Sequence, residues 1–332
     1  MIRIRSGDVP RSLGIRAEVS AVTGAEIPPP SPLRPISAQR EKQGAEIGLL
    51  GRRNDMVLNG AKGREQSDMN PFLQVAVEAA REAGAALREE FDRPKKILYK
   101  GEVDLVTESD HRSEKTIVER LRSHFPDHAI VAEEGSSGAA ADARYCWYID
   151  PLDGTTNFAH GYPCFAVSIG LTEAGWPVAG VVFNPVSQEL FTAARGEGAF
   201  LNGKQISVSP VEKLAHSLVA TGFPTHRRKR SANINYYWEF TLRSHGVRRD
   251  GSAALDLCSV ACGRFDGFWE FGLNSWDTAA GILLIEEAGG RVSGLSGEVY
   301  QLGGPDILAS NGRIHEEMRE LAAQVAENAA RS

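Results

Sequence analysis

The stretch WYIDPLDGTTNF, residues 147–158, decides how this chain is read. An apolar and aromatic run ends in two aspartates, Asp150 and Asp153, with Pro151 and Leu152 between them. A glycine, two threonines and an asparagine follow. Ionised acids are seldom buried unless they are paired or hold a cation. Two of them at the end of a strand repel each other unless a positive charge lies between. Pro151 keeps Asp150 extended, so the two aspartates can diverge around one cation while the Leu152 carbonyl faces it. GTTN then opens a helix or a tight turn, where backbone N–H groups attract an anion and Thr155 and Thr156 add hydroxyls. Acids that hold cations beside a seat for an anion suit phosphate chemistry.

More acids stand at the ends of apolar runs. Glu133 and Glu134 follow AIVA, and Asp277 follows Trp276 at the start of an Ala/Gly/Leu/Ile helix. All-oxygen ligation of this kind suits Mg²⁺ or Mn²⁺, and these motifs lack the His and Cys that zinc sites use. Each fragment alone has a plainer explanation. DPLDG is turn-like, and Glu133 and Glu134 could be a solvated loop. Asp277 could be an acid at the first or second position of a helix, favoured by the dipole. Asp110 and Thr107 could cap the helix that follows them. Only the combination points to a metal-assisted phosphoryl site.

The rest of the chain sets bounds. It has 332 residues, 42% hydrophobic and 24% charged, as expected of a globular protein of one large or two ordinary domains. The net charge of −6 argues against a broad nucleic-acid-binding surface. Cys146, Cys164, Cys258 and Cys262 form no CxxC pair and read as reduced thiols. No apolar run reaches the roughly 18 residues of a membrane span, and the N-terminus has no secretory h-region. The expected location is cytoplasmic.

Residues 1–68 contain no Phe, Tyr or Trp, hold six of the 16 prolines and carry about three net positive charges. Such a segment buries too little apolar surface to offset its ordering entropy and reads as a disordered extension. Alternatively, translation starts at Met56 or Met69. From Asn70 onward the periodicity predicts a helix over 70–91, a strand at 97–99 and a helix over 109–124. Strands follow at 129–135 and 145–150, then a meander of strands at 163–172, 178–184 and 188–194, suggesting an antiparallel sheet. The C-terminal part alternates strands (217–221, 246–248, 265–271, 306–309) with helices (227–243, 252–262, 276–288, and from 312), an α/β pattern. The expected organisation is thus 1–68, an α+β part over 69–215 bearing the metal motifs, and an α/β part over 216–332 that completes the site.

Over about residues 70–330 the chain resembles the inositol monophosphatase family of Mg²⁺-dependent, lithium-sensitive phosphatases. The resemblance rests on WYIDPLDGTTNFAHGYP (147–163) and WDTAAGILLIEEAGG (276–290), supported by DLVTESD (104–110), AEEGS (132–136) and GSAALDL (251–257). It implies a layered αβαβα sandwich, two or three Mg²⁺ ions per site with Mn²⁺ as a possible substitute, and a homodimer. It also implies roles. Glu133 is expected to bind the first metal, Asp150 to bridge to the second, and the Leu152 carbonyl to complete the first site. Asp153 and Asp277 complete the second. Asp110 holds waters of a third, weaker ion. Thr155, with Glu133 or Asp110, orients the attacking water, and Gly154 and Thr155 offer N–H groups to the phosphate. Lys100 matches a lysine near the metals, and Ala253 and Glu270 match positions that contact polyol hydroxyls.

The substrate is open at this level. A phosphorylated polyol, first of all an inositol monophosphate, is favoured by Glu270, since a carboxylate accepts from two hydroxyls. Histidinol phosphate, fructose 1,6-bisphosphate and 3′-phosphoadenosine 5′-phosphate are alternatives. Arg248 and Arg249 could serve a second phosphate or be surface charge. The basic THRRKRSAN segment (225–233) raises a reading of another class, a regulatory protein that binds the transcription machinery. A purely structural Ca²⁺ site is a third.

Overall fold

The computed structural model describes residues 70–93, 97–99, 105–135, 143–223 and 231–331. The extension 1–68, Lys100 and the basic stretch 225–230 lie outside the described residues.

The described residues open on helix α1 (Pro71–Phe91), whose start is set by the Asn70 side chain accepting from the Phe72 N–H at 3.0 Å and by Pro71 in its first turn. A short antiparallel hairpin, β1 (Ile97–Tyr99) and β2 (Leu105–Thr107), leads into α2 (Glu108–His124). Seven strands then follow in order as one sheet: β3 (Ala129–Ala132), β4 (Tyr145–Asp153), β5 (Ala166–Glu173), β6 (Trp176–Asn184), β7 (Glu189–Ala194), β8 (Gly198–Leu201) and β9 (Lys204–Gln205). A five-residue helix, α3 (Thr155–Ala159), interrupts the run between β4 and β5. The pairing is antiparallel except between β3 and β4, which run parallel.

The remainder builds a second sheet with the order β11-β10-β12-β14-β13. Its elements are β10 (Leu218–Thr221), α4 (Asn233–Arg243), β11 (Gly246–Arg248), α5 (Ala253–Ala261), β12 (Gly267–Phe271), α6 (Ser275–Glu287), β13 (Arg291–Ser293), β14 (Asp306–Ser310) and α7 (His315–Arg331). The three strands that helices separate pair in parallel; β14 pairs antiparallel with both neighbours.

Five layers result, bound by three apolar cores. Leu73, Ala76, Ala80 and Leu87 of α1 with Ile117 and Leu121 of α2 cover one face of the large sheet, against Trp147, Ile149, Val167 and Val181. α5 and α6 lie between the sheets, where Leu257, Leu283 and Ile285 meet Val182 and Phe191 on one side and Phe268 and Ile307 on the other. Phe240 of α4 and Met318 and Leu321 of α7 close the outer face of the small sheet against Val219, Trp269 and Leu308. This is the αβαβα sandwich. α6 is apolar nearly all round because it is sandwiched between sheets.

α6 needs a flat seat, and a pair of glycines supplies it. Gly170 and Gly180 face each other across β5 and β6. A Cβ on Gly170 would stand 2.7 Å from the Ala279 Cβ, and one on Gly180 would stand 3.0 Å from the Ala280 carbonyl oxygen. The helix that carries Asp277 therefore rests directly on sheet backbone.

Several boundaries differ from the sequence expectation. β3 stops at Ala132, so both glutamates lie in the turn after it. β5 begins at Ala166, after a turn in which the Cys164 N–H bonds the Tyr162 carbonyl. α4 begins at Asn233, later than 227, and β12 begins at Gly267, after Asp266 has bonded across to Leu218. The last helix starts at His315, because the Asn311 side chain first turns the chain by accepting from Arg313 and Ile314. β2, β8, β9 and β13 are too short to produce a periodicity and were not expected.

Candidate active site

Three residues of β4, Asp150–Leu152, lie opposite two of β5. Asp150 pairs with Ser168 and Asp153 with Ala166, so β4 carries one extra residue there. In a regular strand, residues three apart face opposite sides. The bulge cancels that alternation and turns Asp153 toward the side of Asp150. Pro151, which has no N–H to give the ladder, sits where none is required. The Leu152 N–H donates to Asp150 Oδ1 at 3.0 Å, and Ser113 Oγ of α2 donates to the Pro151 carbonyl at 2.7 Å, pinning the bulge from behind.

α2 supports the site in two further ways. Its buried Glu114 accepts from the Glu134 N–H at 2.7 Å, while the Glu133 N–H bonds the Ile149 carbonyl at 3.2 Å. These bonds hold the turn that presents Glu133 beside β4. Asp110, 1% exposed at the third position of α2, accepts from Thr155 Oγ1 at 3.1 Å. The same hydroxyl lies 3.0 Å from the Leu152 carbonyl oxygen. Gly154 precedes α3 with φ +94°, and a Cβ there would lie 2.9 Å from the Cys164 carbonyl oxygen, so only glycine suits the position.

The other half of the site comes from the small sheet and the middle helices. Asp153 Oδ2 accepts from the Ser252 hydroxyl, the cap of α5, and from the Ala254 N–H at 2.8 Å. Asp277 is the third residue of α6, one position further in than the sequence suggests, and it accepts from the Asn274 N–H at 2.6 Å. Glu270 is buried on β12, close against Gly222, where any Cβ would strike its carboxylate. Ala253 is the buried first residue of α5.

The acids feel one another strongly. Burial, then Glu133, Asp153 and Asp277, hold the Asp150 carboxyl well above the usual range. Burial pushes Asp153 up to about 6, against the hydrogen bonds from Ser252 and Ala254. Burial and then Asp153 push Asp277 up to about 8, although it stands within hydrogen-bonding reach of Asp150. Glu270 is also pushed to about 8, by burial and Asp277, with the Arg249 guanidinium pulling it down. No three His, Cys, Asp or Glu side chains among the described residues stand in metal-holding geometry as they are. The donor chemistry nevertheless fits a hard divalent cation: several carboxylates raise one another's proton affinity, and a carbonyl lies among them. The Cys164 thiol is pushed up to about 12 by burial and by Asp256, Asp250 and Asp153, so it stays neutral and offers no thiolate.

Glu133, Asp150, Asp153, Asp277, Glu270 and Asp110 thus gather around the end of β4, with Thr155, Gly154 and Ala253 on the elements beside them. Lys100 is outside the described residues. Sequence reading assigned no role to the supports Ser113, Glu114 and Ser252, although Ser252 stands at the start of the helix expected over 252–262. It also passed over Asp256, 2% exposed in α5, whose carboxyl is held well above its usual range by burial and then by Asp250, Glu270 and Asp153. Its signal was a single acid within the apolar helix AALDLCSVA.

A layered αβαβα fold around clustered carboxylates and a tight glycine turn defines a phosphomonoester hydrolase. The model for the inositol monophosphatase family matches residues 68–330, and the chain belongs to that family, whose members are generally metal-dependent. An inositol-1-monophosphatase from Synechocystis is 48% identical over 261 residues, covering 77% of this chain and 90% of that protein. The protein named Nus factor SuhB from Pseudomonas aeruginosa is 47% identical over 250 residues, covering 73% and 92%. The solved inositol monophosphatase of Anabaena superposes with a TM-score of 0.70 at 44% identity, covering 76% of this chain and 95% of that one.

Proposed function

We propose that this enzyme hydrolyses an inositol monophosphate to inositol and inorganic phosphate with Mg²⁺ as its cofactor, and that lithium inhibits it. The carrying observation is the cluster of Asp150, Asp153, Asp277 and Glu133, whose carboxyls raise one another's proton affinity. The 48% identical relative named for inositol 1-phosphate supports the substrate.

In this reading Glu133, Asp150 and the Leu152 carbonyl would hold one cation, Asp150, Asp153 and Asp277 would hold a second, and Asp110 would steady a third. Bound cations neutralise the carboxylates, lower the pKa of water and stabilise charge on the departing oxygen. The chain's own groups do the rest. Thr155 Oγ1, held by Asp110, orients the attacking water, and Asp110 or Glu133 takes its proton. The Gly154 and Thr155 N–H groups receive the phosphoryl oxygens. Water oxygen bonds to phosphorus, the ester P–O bond breaks, the departing inositol oxygen takes a proton from solvent water, and the proton taken up by the carboxylate returns to solvent. Glu270 accepts hydroxyls of the ring beside Ala253.

We also infer a cytoplasmic homodimer. No described helix is long and apolar enough to cross a membrane. Ile234, Trp238 and Leu242 form an i, i+4, i+8 stripe on α4, each about 60% exposed, which suits a self-associating face. The parts 69–215 and 216–332 act together, each contributing acids to one site. A second reading, regulatory binding to the transcription machinery, is favoured by the 47% identical relative named a Nus factor; the two readings are compatible.

Phosphate release from myo-inositol 1-phosphate, histidinol phosphate, fructose 1,6-bisphosphate and 3′-phosphoadenosine 5′-phosphate, with Mg²⁺ and with or without lithium, tests the proposal. Preference for the inositol ester, suppressed by lithium, supports it. Preference for another ester moves the substrate, and silence on all four shifts weight to the binding-protein reading.

A further inference from the structure

Asn157 belongs to the DGTTN motif, yet no bond places it on any of the acids. Its Nδ2 donates instead to three backbone carbonyls: Cys164 at 2.7 Å, Asp250 at 2.8 Å and, more weakly, Gly251 at 3.4 Å. An amide nitrogen has two hydrogens, so the two short bonds use both. Cys164 leads into β5 of the large sheet, whereas Asp250 and Gly251 join β11 to α5. One side chain therefore ties the two sheets together next to the site.

Gly251 is pressed onto that amide. Its φ is +86°, and a Cβ there would lie 3.1 Å from Asn157 Nδ2 and 2.6 Å from Arg249 Nη1. The next residue is Ser252, whose hydroxyl donates to Asp153 Oδ2, and the Ala254 N–H grips the same oxygen at 2.8 Å. The path from the Asn157 amide to the Asp153 carboxylate is two residues of backbone. α3 itself does not need this side chain. Its turn is closed by the Phe158 and His160 N–H groups, and Phe158 anchors it against Phe91 and Phe165 with ring centroids 5.9 and 5.0 Å away.

We propose that Asn157 is a positioning residue for the cation site. By holding Asp250 and Gly251 it sets the start of α5, so that Ser252 and Ala254 engage one oxygen of Asp153 and leave the other for the cation. This rests on the reading of Asp153 as a cation ligand. Changing a group that orients a metal ligand from behind commonly costs about 10- to 100-fold in metal affinity or activity.

The test is Asn157→Asp, an isosteric change that turns the donor into a carboxylate facing carbonyls. Gly251→Ala, which pushes the same loop from the other side, is the second variant. Isothermal titration of the full chain with Mg²⁺ and steady-state kinetics on the best ester are compared with His315→Ala, a destabilised control remote from the acids. Both variants are expected to bind Mg²⁺ about 10- to 100-fold more weakly, with kcat reduced and KM for the ester little changed. The double variant is expected to be no worse than the poorer single one, because both act on one loop. Wild-type Mg²⁺ affinity and kcat in Asn157→Asp, or a loss of melting temperature alone as in the control, overturns the role of Asn157. A wild-type chain that binds no divalent cation overturns the cation reading and this inference with it.

Discussion

Thr155 Oγ1 stands 3.1 Å from Asp110 Oδ1, joining the turn after β4 to the first turn of α2. The same hydroxyl reaches the Leu152 carbonyl at 3.0 Å, so one proton faces two acceptors. An acceptor engaged elsewhere leaves the proton to the other. The hydroxyl oxygen keeps a lone pair for a water, which is what a water-orienting residue requires.

Thr155→Ala should lower kcat about 100-fold while barely moving KM. Thr155→Ser should retain most activity, since the hydroxyl returns. Steady-state kinetics at saturating Mg²⁺ decide; equal loss in both variants would assign Thr155 a packing role.

Asp150→Asn should nearly abolish turnover, because it removes the ligand shared by both proposed cation positions. Divalent cations should raise the melting temperature of the wild type, since ligands that bind only the folded state stabilise it, and a chelator should reverse the effect. Sodium at equal ionic strength should not. The shift should be absent in Asp150→Asn, measured by differential scanning fluorimetry.

Glu270→Gln should raise KM for inositol 1-phosphate about 10-fold, a loss on the scale of one specific contact, while the Mg²⁺-induced melting shift persists. An unchanged KM would place the ring hydroxyls elsewhere.

His315 is fully buried, with its ring nitrogens 2.9 Å from the hydroxyls of Ser293 and Ser310. Burial lowers its pKa from 6.5 to about 4. The unfolded chain therefore takes up this proton at a higher pH than the folded chain does. The stability that the neutral ring contributes is complete above pH 6.5 and is lost as pH falls toward 4. The loss is at most about 3 kcal/mol. Urea titrations at pH 7, 5.5 and 4.5 should show this decline, and His315→Gln should flatten it.

Gly170→Ala should cost about 1–3 kcal/mol, the usual penalty of overpacking, because its Cβ would meet the Ala279 Cβ at 2.7 Å. Displacing α6 moves Asp277, so activity should fall along with the melting temperature. A stable, fully active variant would show that α6 yields freely.

Local pattern was enough for much of this protein. The helices α1 and α2 announce themselves by apolar spacing, α5 and α6 by mostly apolar runs, and the strand-end acids Asp150, Asp153, Glu133 and Asp277 by the improbability of burying charge. Those residues stand up to 144 positions apart, and nothing local says that they meet. Only the tertiary structure decided that. It placed one extra residue in β4 so that Asp153 turns beside Asp150, and it brought Ser252 to hold Asp153 from a distant helix cap. It also set Gly170 and Gly180 under α6 so that Asp277 could approach. Register, bulges and close approach depend on which strands pair and which backbones touch. Those are properties of the whole chain, and no window of sequence encodes them by itself.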